Sequence, residues 1–386
     1  MITDPLVLRE GRPVWADIDL PAIARNVARL TAVAAPAALC AVVKADGYGH
    51  GAGPVARAAL DGGAQCLAVA LVAEGAELRA GGIDAPILVL SQACDTEVDE
   101  LVHLHLDATA YTAAGVAALA AAASRAGRTG DDPVRVHLKV DTGMHRVGAP
   151  PADIVGLARV IVAADGLDLA AVSTHCAVAD EPLNPFTNEQ FDRFEAVLAD
   201  IASAGIEVPC RHAANTAATV AHPRSRYDLV RCGIGIYGLD PSPSLAGLVD
   251  LEPALSLRAL VSHVKRVGAG EGISYGLRYR PASDTTIATV PLGYADGVPR
   301  SLAAAGGTVL LGGRRRPIAG TVTMDQLMVD CGDDPVAIGD DVVLIGTQGS
   351  EAIGAGEWAR LTGTINYEIV CGIGPRVPRR YLEAST

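Results

Sequence analysis

Ala41-Val42-Val43-Lys44-Ala45-Asp46-Gly47-Tyr48-Gly49-His50-Gly51 is the segment from which the architecture of this 386-residue chain can be predicted outward. Its apolar residues predict a buried β-strand that ends at Lys44. The glycine-rich loop that follows lets the backbone close tightly around a bound group. In closed barrels of parallel strands, the carboxyl ends of the strands carry the chemistry. The segment therefore predicts the first strand of such a barrel, with a candidate active-site lysine at its end.

The first two-thirds of the chain alternate short apolar runs with alanine-rich helical stretches. Strands of continuous apolar residues separated by helices are typical of a parallel sheet that is buried on both faces. Eight such units within roughly 240 residues fit a closed (β/α)8 barrel. The predicted strands are residues 39–45, 65–72, 87–91, 106–111, 134–141, 169–176, 207–214 and 229–237. The clearest predicted helices are residues 21–34, 113–126 and 185–204.

The pattern changes at residues 239–244, whose two prolines and two serines predict a linker. Beyond it, alternating and β-branched residues favour strands, and Gly312-Gly313 predicts a hairpin turn. These later strands are predicted at residues 255–267, 285–291, 308–311, 321–330 and 342–345. The sequence thus predicts an α/β protein with an N-terminal barrel at residues 12–240 and a mostly β C-terminal domain at residues 250–386.

Composition and spacing disfavour several classes of protein. The net charge of −13 argues against a nucleic-acid partner, because phosphate binding needs a basic surface. No uncharged run is long enough to cross a membrane as a helix, and residues 1–12 lack the apolar core of a signal peptide. The eight cysteines form no C-x-x-C pair, so reduced thiols in a cytoplasmic protein are expected. No histidine or cysteine spacing supports a metal, and no dinucleotide fingerprint follows a strand.

Lys44 has two interpretations. A strand-end lysine is usually a surface residue whose ammonium group reaches solvent. A partly desolvated lysine has a lowered pKa instead, and its amine then acts as a nucleophile toward carbonyl carbons. The Gly-Tyr-Gly-His-Gly loop at residues 47–51 favours the second interpretation, because it offers backbone room for a bound group.

The segment around Lys44 also resembles the AVVKA-x-x-YGHG motif of the alanine racemase family. The resemblance runs from about Trp15 to the C-terminus through further landmarks in the family's order. Any one of these could arise by chance, whereas the ordered set is highly specific. The landmarks are residues 139–144, 174–175, 179–182, 212–215, 230–234, 274–276, 293–297, 324–326 and 365–368.

This resemblance implies that pyridoxal 5′-phosphate is the cofactor and that the reaction interconverts L-alanine and D-alanine, supplying D-alanine for peptidoglycan. Racemisation needs an electron sink and one acid/base group on each face of the substrate, and the cofactor provides the sink. The resemblance assigns one face to Lys44, which also attaches the cofactor. It assigns the other face to Tyr275 of the partner subunit, which implies a homodimer with shared active sites.

By resemblance, His175 and Arg231 surround Tyr275 and let it act as a base. They are needed because an ordinary tyrosine is a weak acid near pH 7 and requires a cationic or hydrogen-bonding environment. Arg231 is also implied to face the pyridine nitrogen and keep it unprotonated. Judged by residue type alone, Tyr275 would be a packing residue and Arg231 a surface ion-pair residue. The motifs at residues 274–276 and 231–234 favour the catalytic roles.

The remaining binding residues are also assigned by resemblance. Lys139 is a candidate for carbamylation that would support Arg146, and an unmodified lysine paired with Asp141 or another acid is the alternative. Thr216 is a candidate phosphate ligand, although a simple helix cap would need the same residue type. The implied cofactor-binding residues are Lys44, Tyr48, His212, Thr216, Arg231, Gly233, Ile234 and Tyr367. The implied substrate-binding residues are Arg146, Met324 and Asp325.

The chain departs from the family's pattern at residues 320–326. Relatives often have an arginine and a cysteine where this sequence has Thr321 and Thr323, which leaves entry control and strict alanine preference open. His145 stands beside the carboxylate arginine, where a small or amide residue is usual. The alternative enzyme is a broad-specificity amino-acid racemase. The alternative outside enzymes is a non-catalytic barrel protein that binds pyridoxal phosphate, and the Ser-Tyr-Gly motif of a second domain argues against it.

Overall fold

The computed structural model describes residues 11–383 of the chain. Residues 1–10 lie outside this range. They include most of the segment in which no signal peptide is predicted. The chain divides into two compact units, Pro21–Glu252 and a second unit that combines Met1–Leu20 with Pro253–Thr386. In the described part of the chain, no helix combines the length and apolar character needed to cross a membrane.

The elements of regular structure are numbered in chain order. The strands are β1 (Val14–Asp19), β2 (Ala38–Val42), β3 (Cys66–Val69), β4 (Ile87–Val89), β5 (Ala108–Ala110), β6 (Val134–Lys139), β7 (Leu167–Ser173), β8 (Arg211–His212), β9 (Leu229–Cys232), β10 (Leu255–Leu260), β11 (His263–Val267), β12 (Thr285–Val290), β13 (Thr308–Leu311), β14 (Arg314–Pro317), β15 (Leu327–Asp330), β16 (Asp341–Gln348), β17 (Glu351–Ile353) and β18 (Arg379–Leu382). The α-helices are α1 (Leu20–Ala34), α2 (Ala52–Asp61), α3 (Val72–Ala80), α4 (Val98–His103), α5 (Ala113–Arg125), α6 (Ile154–Ala163), α7 (Phe186–Ser203), α8 (Thr216–Ala221), α9 (Ala355–Thr362) and α10 (Asn366–Cys371).

The unit Pro21–Glu252 is the predicted (β/α)8 barrel. Two four-stranded parallel sheets, β4-β3-β2-β9 and β5-β6-β7-β8, supply its eight strands. A parallel bridge between Leu88 and Asp107 joins β4 to β5. The Arg231 N–H donates to the Ala214 carbonyl oxygen at 2.9 Å, beside β8 and β9, and closes the ring. Each strand lies within or overlaps a run predicted from the sequence, because buried parallel strands are apolar along their whole length.

Two stretches of the predicted barrel behave differently from expectation. The barrel was predicted to span residues 12–240. Residues 14–19 of that range form β1, which belongs to the second unit and pairs antiparallel with β10 and parallel with β18. The predicted linker at residues 239–244 lies inside the barrel unit, where the Ser242 hydroxyl donates to the Asp180 carbonyl oxygen at 2.8 Å. Its second proline begins a short 3-10 turn, Pro243–Leu245, that buries Leu245, so the prolines shape packed chain rather than a free connection.

The second unit contains a seven-stranded mixed sheet and a three-stranded antiparallel sheet, β11-β12-β15. The predicted strand at residues 255–267 divides into β10 and β11, which belong to different sheets. Only the end of the predicted strand at 321–330 is extended, as β15, and residues 321–326 form a loop. The Gly312-Gly313 hairpin is confirmed: φ is 65° and 73° at these glycines, as a type I′ turn requires.

Candidate active site

Lys44 lies at the carboxyl end of the barrel, two residues beyond β2, and its side chain is half-buried. The turn that follows has left-handed backbone: φ is 52° at Ala45, 51° at Asp46, 60° at Gly47 and 51° at Tyr48. Left-handed conformation costs roughly 1–2 kcal/mol for each residue that has a Cβ. Strain of this kind persists where surrounding contacts impose it, and such places are often functional sites.

Side-chain carboxylates impose the shape of this turn. Glu74 accepts from the Ala45 N–H through Oε1 at 2.6 Å and from the Ala70 N–H through Oε2 at 2.8 Å. Asp46 Oδ1 accepts from the Ala52 N–H, the first residue of α2, at 2.8 Å. The backbone beside Lys44 is therefore tied to two helices, and the position of the lysine is fixed by the barrel.

Tyr48, Thr216 and Gly233 form a cradle next to this turn. A Cβ on Gly233 would lie 2.5 Å from the Tyr48 hydroxyl oxygen, so only glycine leaves room there. The Gly233 N–H donates to Thr216 Oγ1 at 2.9 Å. Asn215, not Thr216, caps α8, because its Oδ1 accepts from the Ala218 N–H at 2.9 Å. Two hydroxyl groups thus meet a stretch of bare backbone, which is the donor set that a phosphate group requires.

Arg231 on β9 is 6% exposed, and its guanidinium donates in four directions. Nη1 lies 2.6 Å from His212 Nδ1, and Nη2 lies 3.1 Å from His175 Nδ1. Nη2 also donates to the carbonyl oxygens of Thr174 at 2.9 Å and Ala213 at 3.1 Å. Since arginine is only a donor, both Nδ1 atoms must accept, and both rings then carry their hydrogen on Nε2.

A buried line of polar groups continues behind Arg231. His212 Nε2 lies 2.9 Å from His137 Nδ1, and His137 Nε2 lies 3.4 Å from Asp107 Oδ2. Burial, and after it the charge of Arg231, lowers the pKa of His212 and of His175 well below the usual histidine value. The His212 and His175 rings are therefore neutral near pH 7. The line from Arg231 to the Asp107 carboxylate runs through His212 and His137.

Sequence analysis missed His137 and Asp107. The signal was present for His137, because it lies two residues before Lys139 on β6 and alternation puts both on the same face of the strand. No comparable signal marked Asp107, which precedes β5 and reaches His137 only because β5 and β6 are neighbours in the barrel.

Lys139, Arg146 and His175 line one small pocket at the end of β6. Burial is the largest cause that lowers the pKa of Lys139 to about 8, and the positive charges of Arg231, Arg146 and Lys44 act in the same direction. The Asp141 carboxylate accepts from the backbone of the following loop, from Gly143 N at 2.9 Å and from His145 N at 3.1 Å. Asp141 raises the pKa of Lys139, but burial and the three positive charges together outweigh it.

In the second unit, Tyr275 and Met324 line one broad open depression together with Tyr294 and Thr321. The Tyr275 side chain is 75% exposed and that of Met324 is 52% exposed. The loop that carries Met324 is held by backbone bonds from the Tyr294 N–H to the Thr323 carbonyl oxygen at 2.9 Å and from Ala295 to Met324 at 3.0 Å. Two large side chains are therefore presented to solvent, and the backbone that carries Met324 is firmly held.

Asp325, a predicted substrate-binding residue, forms an ion pair with Arg376. Its Oδ1 accepts from Arg376 Nη2 at 2.7 Å. Arg376 Nε also lies 3.4 Å from the fully buried Asp296, which accepts from Arg12 at 2.9 and 2.5 Å. Asp325 thus anchors the segment that carries Met324. Tyr367, the remaining predicted cofactor ligand, is the half-buried second residue of α10.

The structure brings the predicted site residues together in two groups. The barrel group is Lys44, Tyr48, Lys139, Arg146, His175, His212, Thr216, Arg231, Gly233 and Ile234, and its members lie at or just beyond the carboxyl ends of the strands. The group in the other unit is Tyr275, Met324, Asp325 and Tyr367. Within residues 11–383, no three histidine, cysteine or acidic side chains are grouped as metal ligands.

Comparison with known proteins gives a consistent result. A model of the alanine racemase N-terminal domain matches residues 18–241, and one of the C-terminal domain matches residues 254–381. An alanine racemase from Symbiobacterium thermophilum is 49% identical over 371 residues, which are 96% of this chain and 97% of that protein. One from Frankia casuarinae is 45% identical, covering 97% of this chain and 99% of that protein.

Solved structures agree with these sequence relatives. The alanine racemase of the D-cycloserine producer Streptomyces lavendulae superposes with a TM-score of 0.91 at 42% identity, covering 97% of this chain and 98% of that one. The alanine racemase of Bacillus anthracis with bound L-Ala-P gives a TM-score of 0.89 at 38% identity, covering 97% and 96%.

Proposed function

This chain belongs to the alanine racemase family, and from that premise we propose how its own residues interconvert L-alanine and D-alanine with pyridoxal phosphate. The cofactor, when bound, supplies an electron sink that makes the α-hydrogen of the amino acid acidic. The observation that carries the assignment is the convergence of Lys44, Arg231 and the Tyr48–Thr216–Gly233 cradle at one end of the barrel. These groups match an aldehyde, a pyridine nitrogen and a phosphate.

Lys44 attaches the cofactor and moves the proton on one face of the substrate. Its anchored turn supports this role, since the amine must return to the same place in every cycle. Tyr275 of the partner subunit moves the proton on the opposite face. Its 75% exposed side chain supports that role, because a base contributed to another subunit has to project from its own fold.

Arg231 would face the pyridine nitrogen of the bound cofactor and leave it unprotonated, which would limit how strongly the cofactor stabilises negative charge. A weaker electron sink would disfavour side reactions such as transamination. Three residues support the guanidinium in sequence. It donates to His212, His212 contacts His137, and His137 lies beside Asp107. We accordingly assign His212 to positioning Arg231. His175, being neutral, assists Tyr275 by hydrogen bonding from Nε2 and not by positive charge.

Arg146 binds the substrate carboxylate, and a carbamate on Lys139 would support it. A carbamate forms from a neutral amine, and a pKa of about 8 makes the neutral form of Lys139 accessible near pH 7. The positive charges that surround Lys139 also favour the anionic product. The modification therefore suits this pocket better than an unmodified ammonium group does.

The carbamate of Lys139 is expected to depend on pH. With a pKa of about 8, protonation of the amine competes with carbon dioxide increasingly as the pH falls below 8, so the carbamate signal should be largest above that pH and should decrease progressively below it. The measurement is ¹³C NMR of the protein in labelled bicarbonate. The signal should vanish in Lys139→Met and persist in the matched variant Lys265→Met, whose lysine is exposed on β11. A signal that survives in Lys139→Met refutes the assignment.

The assembly and setting of the enzyme are also part of the proposal. We place the active protein in the cytoplasm as a homodimer, in which the β domain of one chain covers the barrel mouth of the other. The exposed, firmly held Tyr275 and Met324 support this arrangement, because large aromatic and thioether side chains are favoured at protein interfaces. D-alanine for peptidoglycan is the proposed use of the product.

Alanine should be strongly preferred over longer amino acids. The chain is expected to racemise L-alanine with a kcat/KM at least about a hundredfold above those for L-lysine and L-arginine, because in the proposed shared site Tyr275, Met324 and Tyr367 would crowd any substrate side chain longer than a methyl group. L-Serine is expected to be a weaker substrate than L-alanine. The measurement is a chiral assay of all four amino acids under one set of conditions.

The variant Met324→Ala tests this explanation of the preference for alanine. Removing the thioether should narrow the difference between L-alanine and the longer amino acids. Comparable efficiency of the unmodified enzyme with lysine or arginine would overturn strict alanine specificity and favour the broad-specificity alternative. That alternative has one observation in its favour, since Thr321 is shorter than the arginine common in relatives.

A further inference from the structure

We propose that Thr321 is a positioning residue for the proton transfer on the Tyr275 face of the substrate. The inference rests on the proposed role of Tyr275 and extends it to a residue at which this chain departs from its relatives. Thr321 takes no part in the proton transfer itself. It acts by fixing the short backbone turn from which the phenol projects.

Thr321 makes hydrogen bonds on both sides of the Tyr275 α-carbon. Its Oγ1 donates to the Tyr275 carbonyl oxygen at 2.9 Å. Its own carbonyl oxygen accepts from Ser274 Oγ at 2.7 Å. Since threonine is branched at Cβ, its hydroxyl has few rotamers and holds the distance between the two backbones. Two successive residues of the turn are thus tied to one residue of the neighbouring loop.

The Tyr275 turn needs such support. Its backbone is left-handed at Ser274 with φ 63°, at Gly276 with φ 79° and at Leu277 with φ 50°. For the two non-glycine residues this conformation is unfavourable. The 75% exposed side chain of Tyr275 packs little against its own unit. Without external bonds, this turn would relax toward other conformations and take the phenol with it.

Gly320 shows that the two segments are built to approach each other. It has φ +82°, and a Cβ at this position would lie 2.6 Å from the Ile273 carbonyl oxygen and 2.8 Å from Ser274 Cβ. Backbone contact this close needs glycine, and it places the next residue, Thr321, directly against the turn. The threonine hydroxyl is therefore part of a tight junction between the two segments.

The position of the base matters more for one substrate enantiomer than for the other. In the proposed mechanism, the family resemblance assigns the α-hydrogen of L-alanine to Tyr275 and that of D-alanine to Lys44. A displacement of a reacting group by about 1 Å costs on the order of 10²-fold in rate, so loss of one supporting bond is expected to cost about tenfold. The rate of α-hydrogen exchange should therefore decrease for L-alanine and remain nearly unchanged for D-alanine.

The experiment measures loss of deuterium from α-deuterated L-alanine and α-deuterated D-alanine in water. Thr321→Val keeps the shape of the side chain and removes the hydroxyl, and it should lower the ratio of L to D exchange about tenfold. Thr321→Ser keeps the hydroxyl and should restore the ratio. The matched control is Thr323→Val, because the Thr323 hydroxyl donates to Gln326 at 2.8 Å instead. It should leave the ratio unchanged.

A second measurement does not depend on the cofactor. Hydrogen–deuterium exchange of the peptide covering residues 273–278 should be faster in the Thr321→Val apoenzyme than in the unmodified apoenzyme and in Thr323→Val. If this exchange and the L to D ratio are both unchanged in Thr321→Val, the inference is overturned. An equal loss for both enantiomers also overturns it, because that result indicates general structural damage.

Tyr275→Phe separates failure of this inference from failure of the proposed function. If Tyr275→Phe selectively loses exchange from L-alanine while Thr321→Val keeps the L to D ratio of the unmodified enzyme, the positioning role alone is refuted. Equal loss from both enantiomers in Tyr275→Phe would refute the assignment of Tyr275 as the base. Either result removes the proposed positioning role of Thr321, and hydrogen–deuterium exchange then reports only whether the turn has been loosened.

Discussion

Replacing Lys44 with alanine is expected to abolish racemisation, with a loss in kcat/KM for L-alanine on the order of 10⁴-fold or more. The variant loses the covalent attachment of the cofactor and the base on one face together. It should still fold, because Lys44 lies half-buried beyond the end of β2 and is not one of the buried core residues. Circular dichroism and a melting curve close to those of the unmodified protein would check the fold.

The chain makes this assignment unusually easy to test, since it contains only three lysines: Lys44, Lys139 and Lys265. Borohydride reduction of the unmodified holoenzyme should fix a pyridoxyl group on Lys44, and peptide mapping should find it there. Lys265→Ala is the matched control and should retain the adduct on Lys44. An adduct on Lys139 or Lys265 in the unmodified protein would show that the site has been assigned to the wrong residue.

The barrel could be predicted from the sequence because its signal is local. A buried parallel strand is apolar along its length, and each predicted run contains or overlaps one strand. The position of β1 could not be predicted in this way. Its partners, β10 and β18, lie far along the chain, and no local sequence pattern indicates pairing over that distance. For the same reason, prolines at residues 241 and 243 indicated a linker, although tertiary packing holds that stretch against the barrel.

Candidate site residues could be predicted where a motif singles out one residue, and could not be predicted where side chains from separate strands meet. Lys44 and Arg231 follow from their motifs. The line from Arg231 to Asp107 depends on the order of strands around the barrel, which spacing does not reveal. The Asp325 motif likewise did not indicate the ion pair with Arg376. The left-handed turn after Lys44 includes Ala45, which has no sequence preference for that backbone conformation.

Mixing two inactive variants is expected to restore activity if active sites are shared between subunits. Lys44→Ala chains and Tyr275→Phe chains should each form inactive homodimers. After random exchange of subunits, half of the dimers are mixed, and each mixed dimer has one site with both bases intact and one with neither. Activity should therefore rise from near zero to about a quarter of that of the unmodified enzyme. The measurement is racemisation of L-alanine after co-refolding or co-expression of the two chains.

The expected restoration follows only from the shared arrangement. If Lys44 and Tyr275 of the same chain served one site, every site in a mixed dimer would lack one base, and activity would stay near zero. A monomer would give the same negative result. The control is a mixture of Lys44→Ala with a chain that carries both substitutions, in which no site is complete under either arrangement. Restoration in the first mixture and not in this control would establish that Tyr275 acts across the subunit boundary, and its failure despite demonstrated subunit exchange would remove the shared site from the proposal.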